Sequence, residues 1–178
     1  MWYCLRLFVA SVRGQQYSTG GRGVCRMLTL MKRLTRLNCR AYIPNVWGWK
    51  KPKRFTSRPG TDAALLLALL HVIFRDKLTA LGALAEFTDG LGEVQTAVAS
   101  LTPEWAANIT GIEASDIESI ARDMATAKAA VCYGRMGVST QAYGTLCQWA
   151  IQVINVVTGN LDKPGGSLFT LPAMDQVT

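Results

Sequence analysis

Two stretches carry side chains that could do chemistry: Gly60-Thr61-Asp62 ahead of a long apolar run, and Gly134-Arg135-Met136-Gly137 behind a short one. In the first, Pro59 and Gly60 make a turn that delivers a hydroxyl and a carboxylate to a helix start. Thr61 or Asp62 can there accept hydrogen bonds from the orphan amides of the first turn. In the second, two residues without a Cβ let the backbone turn sharply through φ > 0 and let another molecule come close. Its glycines do not follow the three-glycine dinucleotide pattern, so the loop alone is a weak nucleotide signal. Lys163-Pro164-Gly165-Gly166 reads as a tight turn.

Other reactive residue types lead away from a site. His71, the only histidine, lies inside the apolar run and reads as a satisfied core histidine. Cys132 falls in a strand and Cys147 in the following helix, without the close spacing that metal ligands show. With Cys4, Cys25 and Cys39 they suggest no disulfide framework, and free thiols fit a reducing compartment such as the cytoplasm. Glu113, Asp116, Glu118 and Asp123 could pass for paired catalytic carboxylates, but on a half-exposed helix they read as a solvated face.

Regular elements must position the two stretches. Ala129 to Tyr133 has the length and composition of a buried parallel strand. From Thr140 to Val157 apolar residues return at helical spacing (Leu146, Trp149, Ala150, Val153, Ile154, Val157), and Gly159 or Asn160 ends the helix. Ligands of open α/β sheets lie beyond the carboxyl ends of the strands, so the glycine loop reads as ligand-facing. Ala63 to Phe74 is apolar all round and must be buried on most faces.

The stretch between these elements, Asp76 to Lys128, reads as helical and structural. A short segment runs from Asp76 through Phe87, Gly90-Leu91-Gly92 breaks it, and Glu93 to Ser100 forms another helix. Thr102 caps a helix with Pro103 at its first position, running to Ile109. Ser115-Asp116-Ile117-Glu118 is a capping box, and the helix behind it carries the stripe Ile117, Ile120, Ala121, Met124 and Ala125.

Charge divides the chain. Thirteen of the nineteen Lys and Arg lie at or before Arg58, and all twelve Asp and Glu lie at or after Asp62. The net charge of +7 therefore belongs to the first segment, and nucleic-acid binding is not expected of the chain as a whole. Residues 1–57 are acid-free and keep no sustained apolar period, although Met27 to Leu37 could form a short basic amphipathic helix. The segment superficially fits a mitochondrial transit peptide, and Trp47, Trp49 and Phe55 among Lys50, Lys51, Lys53 and Arg54 would suit nucleic acid or an anionic membrane. No run approaches the length of a membrane span.

From Arg58 onward the sequence resembles a family. GRMGVSTQAYGT, followed after one helix by VVTGNLDKPGGSLFT, is similar to a segment of the molybdopterin-dependent oxidoreductases, the group of formate dehydrogenases, nitrate reductases and dimethyl sulfoxide reductases. RPGTDAALLLALLHVIF resembles a second landmark of that family, in the same order. The resemblance implies two parts, a basic segment 1–57 and a partial oxidoreductase domain 58–178. Their fold would be a helix-rich fragment of a three-layer, Rossmann-like α/β domain with parallel strands, preceded by an irregular basic segment. An out-of-frame translation upstream of Arg58 would account for the abrupt change of composition.

The resemblance also implies a cofactor, molybdopterin guanine dinucleotide with molybdenum or tungsten. Gly60, Thr61 and Asp62 match positions that bind the guanine arm, and a carboxylate suits guanine because it accepts from both N1–H and the exocyclic amine. Met136 and Thr140 match cofactor contacts, with Gly134, Gly137 and Gln141 beside them. Many relatives carry Gln-His where this chain has Ser139-Thr140-Gln141-Ala142, which shifts the glutamine contact by about a residue. No residue matches the family's metal ligand, and its iron–sulfur cysteine motif is absent, so an iron–sulfur cluster is expected only in a full-length parent. The chain alone is expected to be inactive, with the remainder of the parent or electron-transfer subunits as partners.

Overall fold

The computed structural model describes residues 54–168 together with the strand residues 5–10 and 41–42. Helix α1, Asp62–Arg75, is the centre of the described fold: ten of its fourteen residues are buried, on every face. Four further helices pack around it, α2 (Leu91–Val98), α3 (Pro103–Thr110), α4 (Ala114–Thr126) and α6 (Gly144–Val157). Leu65, Leu66, Leu69, Leu70 and Ile73 of α1 meet Ile117, Ile120 and Met124 of α4 and Ile151 and Ile154 of α6 in one continuous core. His71 is satisfied but half-buried, at the edge of the core and not within it, its Nδ1 hydrogen-bonded to the Val98 carbonyl at 2.9 Å. A carbonyl only accepts, so Nδ1 is the protonated nitrogen.

The segment after α1 departs from the sequence expectation. Asp76 starts no helix: it and Lys77 close α1, with the Leu78 amide donating to the Ile73 carbonyl at 2.9 Å and Lys77 in the left-handed region at φ 54°. This is the αL termination that glycine more often provides. Helical structure resumes only as a short 3₁₀ turn at Gly82–Phe87.

Helix α3 starts as its sequence requires, with Pro103 at the first position and the Trp105 amide donating to the Thr102 hydroxyl at 3.3 Å. The capping box expected at Ser115 is not formed. Helix α4 begins at Ala114 with Glu113 as its cap and no side-chain capping bond. Glu118 instead joins Arg75 at 2.8 Å and Arg122 at 3.2 Å, and Arg122 reaches Asp76 at 2.9 Å. The Glu118 carboxylate thus ties α1 to α4 in place of turning back to its own helix start. The stripe Ile117, Ile120, Ala121 and Met124 is buried and Ala125 half-buried, with Glu113 and Asp123 exposed outside it and Asp116 half-buried.

Strand β4, Ala129–Gly134, pairs antiparallel with β1, Leu5–Ala10, in a register that sets Leu5 against Gly134 and Ala10 against Ala129. Strands β2 (Ala41–Tyr42) and β3 (Arg54–Phe55) form a second antiparallel pair. Parallel strands were the expectation, and both described strand pairs correct it. A parallel pair needs a second strand joined by a helical crossover, and residues 56–128 supply helices without one. The strand at Leu5–Ala10 also corrects the expectation of irregular structure for that part of the basic segment. Everything else expected of residues 1–53, whether disorder, targeting, an out-of-frame origin or nucleic-acid contacts, lies outside the described residues.

After β4 the chain makes one helical turn, α5 (Met136–Ser139), and α6 begins only at Gly144, four residues later than its apolar spacing suggested. Gly144 sits so close to α5 that a Cβ there would collide with the Ser139 carbonyl oxygen. Along α6, Cys147, Ala150, Ile154 and Val157 are buried and Leu146 and Val153 half-buried, while Trp149 is 44% exposed and is not a core residue. Gly159, at φ 63°, ends the helix, with the Asn160 amide donating to the Asn155 carbonyl at 2.8 Å. Lys163 to Gly166 is the turn the sequence called for, closed at 3.0 Å with Gly165 at φ 85°. Among the described residues no helix is long and apolar enough to cross a membrane.

Candidate functional site

The fold brings together Asp62 and Gln141, 79 residues apart in sequence. Asp62 opens α1, where the helix dipole favours a negative charge, yet it is only 5% exposed. Gln141 lies in the turn between α5 and α6, and its Nε2 donates to Asp62 Oδ2 at 3.0 Å and to the Val138 carbonyl at 3.1 Å. The Cys147 sulfur lies 3.5 Å from the same nitrogen. Gln141 Oε1 is buried and has no hydrogen-bond partner among the described residues.

Electrostatics follow from this burial. Loss of hydration pushes the Asp62 carboxyl above the usual carboxylate range, against the lowering effect of hydrogen bonds from Gln141 and Ser57. Burial, with a further contribution from the Asp62 charge, pushes the Cys147 thiol up to about 11, so it stays a neutral thiol. Burial alone raises the Cys132 thiol. Neither thiol is a nucleophile at neutral pH, and among the described residues no group of three His, Cys, Asp or Glu could hold a metal ion.

Gly60 and Thr61 form the turn entering α1, Gly60 with φ 80° as a left-handed position requires. Thr61 occupies the cap position, but its hydroxyl donates to the Arg58 carbonyl at 2.7 Å instead of accepting from the helix. Neither Thr61 nor Asp62 therefore provides the side-chain capping bond expected from the sequence. Arg58, missed in the sequence reading, anchors the turn. Its Nη1 donates to the Asn108 carbonyl at 2.9 Å, and its backbone amide donates to the Thr110 carbonyl at 2.9 Å. A guanidinium at the carbonyl end of α3 satisfies that end and fixes where Asp62 starts.

The remaining candidates line the other stretch. Gly134 and Gly137 do not use the φ > 0 that their lack of a Cβ permits. Gly134 instead serves close approach: a Cβ there would stand 2.5 Å from Ile151 Cδ1. Met136 is 79% exposed, Thr140 is exposed and Gly137 half-buried. Asp62 and Gln141 are thus in contact, whereas Met136 and Thr140 present themselves to the outside. Cys147 and Asn155 were missed because a buried polar partner on an apolar helix leaves no periodic signal.

The arrangement suits a ligand that donates hydrogen bonds. Among the described residues the Asp62 carboxylate forms no ion pair and Gln141 Oε1 has no donor, both costly when buried, and N–H groups would relieve either.

No family model matches the chain. Formate dehydrogenase H of Escherichia coli (strain K12) is 37% identical over 105 residues, which cover 59% of this chain and 15% of the relative. The thiosulfate reductase molybdopterin-containing subunit PhsA of Salmonella typhimurium is 32% identical over 115 residues, covering 61% of this chain and 14% of that protein. The chain thus spans about a seventh of the length of these curated relatives. Among solved structures, acetylene hydratase from Pelobacter acetylenicus superposes with a TM-score of 0.59 at 23% identity, over 88% of this chain and 21% of that one, a likeness of fold. Relatives of several reductase and dehydrogenase kinds match much the same share of the chain, and together they indicate the molybdopterin oxidoreductase family, matched over a partial segment.

Proposed function

We propose that this segment is a cofactor-binding part of an oxidoreductase, built to hold the guanine end of a molybdopterin guanine dinucleotide. The observation that carries the reading is the buried Asp62 carboxylate at the start of α1, reached by Gln141 Nε2 from the other stretch. Guanine offers N1–H and an exocyclic amine side by side, and the two oxygens of one carboxylate can accept both. Gly60 and Thr61 would set the approach to Asp62, while Gly134, Met136, Gly137 and Thr140 would line the path of the rest of the cofactor. When bound, the cofactor supplies a molybdenum or tungsten centre that exchanges an electron pair with substrate. The protein residues here bind and orient; none is placed to move a proton or attack a substrate.

The segment would form part of a three-layer, Rossmann-like domain in a larger enzyme that supplies the metal ligand, any iron–sulfur cluster and the contacts to electron-transfer subunits. Calorimetric titration of the full chain with GDP and with ADP tests the site. GDP should bind measurably and ADP at least about tenfold more weakly, because adenine lacks the N1–H that an acceptor pair requires. Asp62→Ala should abolish the difference. Equal affinity for both nucleotides, or GDP binding insensitive to Asp62, would overturn the reading.

A further inference from the structure

Helix α6 and strand β4 are joined by a polar zipper. Asn155, 1% exposed, accepts from the Cys132 amide through Oδ1 at 2.8 Å and donates to the Cys132 carbonyl through Nδ2 at 2.9 Å. Two residues earlier on the strand, the Ala130 amide donates to Asn160 Oδ1 at 3.1 Å, and the Asn160 Nδ2 is itself held by the Thr158 hydroxyl at 2.9 Å. A strand's polar groups alternate between its edges, so Ala130 and Cys132 address the same one. That edge is closed by carboxamides, in the way a hydrogen-bonded residue of a neighbouring strand would close it.

The spacing makes the zipper a register device. Ile151 packs over Gly134, Asn155 grips Cys132 and Asn160 grips Ala130. From Ile151 to Asn155 four residues of helix advance about 6 Å, in step with the roughly 6.6 Å of two strand residues from Gly134 to Cys132, and Asn160 reaches Ala130 from the turn just past the helix end. The loop from Arg135 to Tyr143 leaves from the end of β4 and returns to the start of α6, so its two ends are fixed by this one interface. A slip of one residue would turn Cys132 away from Asn155, bring a Cβ-bearing residue against Ile151 and displace Gln141 from Asp62.

We infer that Asn155 is a positioning residue: by clamping both backbone groups of Cys132 it sets the register of α6 on β4 and so holds Met136 to Gln141 in the geometry that meets Asp62. Its consequence for ligand binding rests on the function proposed above; its consequence for the loop does not. Hydrogen exchange followed by mass spectrometry on the full 178-residue chain separates the two.

In Asn155→Asp at neutral pH a carboxylate replaces the Nδ2 donor and faces the Cys132 carbonyl. Amides from Ala130 to Gln141 should then exchange at least about tenfold faster while those of α1 keep their protection, because local opening is decoupled from global unfolding. As pH falls and that carboxyl takes up a proton, the donor returns and protection should recover. Asn155→Ser, which adds no charge, reads the same local effect should the first variant fail to fold. Unchanged exchange in this stretch, or faster exchange spread equally through α1, would overturn the inference. GDP titration of the same variants reports on the function: wild-type chain that binds no GDP refutes the nucleotide reading and leaves the exchange result standing.

Discussion

Helix α1 and the loop from Gly134 to Tyr143 meet at Asp62 and Gln141, yet they are built on opposite terms. The helix buries leucines on all faces and touches four neighbours, so nearly every side chain is answered by another from the same chain. The loop leaves Met136 at 79% and Tyr143 at 64% exposure, and at Gln141 it buries an oxygen that no described residue answers. The contrast separates what the fold needs from what a ligand needs. A region whose groups are all satisfied determines stability; a region with unanswered groups is where binding can be gained.

That division can be broken or sharpened by substitution. The largest effect should come from Leu66→Ala, which opens a cavity in the middle of α1 and should cost about 2–5 kcal/mol in chemical denaturation. Nucleotide affinity of the fraction still folded should not change. If it does, stability and binding are not separable here.

Asp62→Asn should have a smaller effect of opposite sign. Burial raises the Asp62 carboxyl in the folded chain above its unfolded value, so the folded state holds that proton more tightly. Stability associated with Asp62 is then present below the unfolded carboxylate value and is lost as pH rises through the folded one. The asparagine variant should lose that pH dependence and be more stable at neutral pH, while no longer preferring GDP. Thermal melts across the acid range check the sign: a wild-type chain that gains stability through this window would contradict the account.

The smallest change belongs to the loop. Met136→Ala should alter stability by no more than about 0.5 kcal/mol, since the side chain is largely in solvent. A melting shift comparable to that of Leu66→Ala would mean that the loop belongs to the core and not to a binding surface.

The sequence by itself determined which stretches matter. The apolar all-round run announced α1, Thr102-Pro103 announced α3, Gly159 announced the end of α6, and the two glycine-flanked strings marked the candidate site. These are local signals: period, capping chemistry and conformational freedom act within a few residues of chain. Only the tertiary structure decided that Glu118 joins Arg75 in place of a cap, that β4 pairs antiparallel with Leu5–Ala10, and that Asn155 grips Cys132. It alone decided that Gln141 reaches Asp62. Each of those contacts joins residues far apart in the chain, and a hydrogen bond between distant polar groups leaves no periodicity in either partner's neighbourhood.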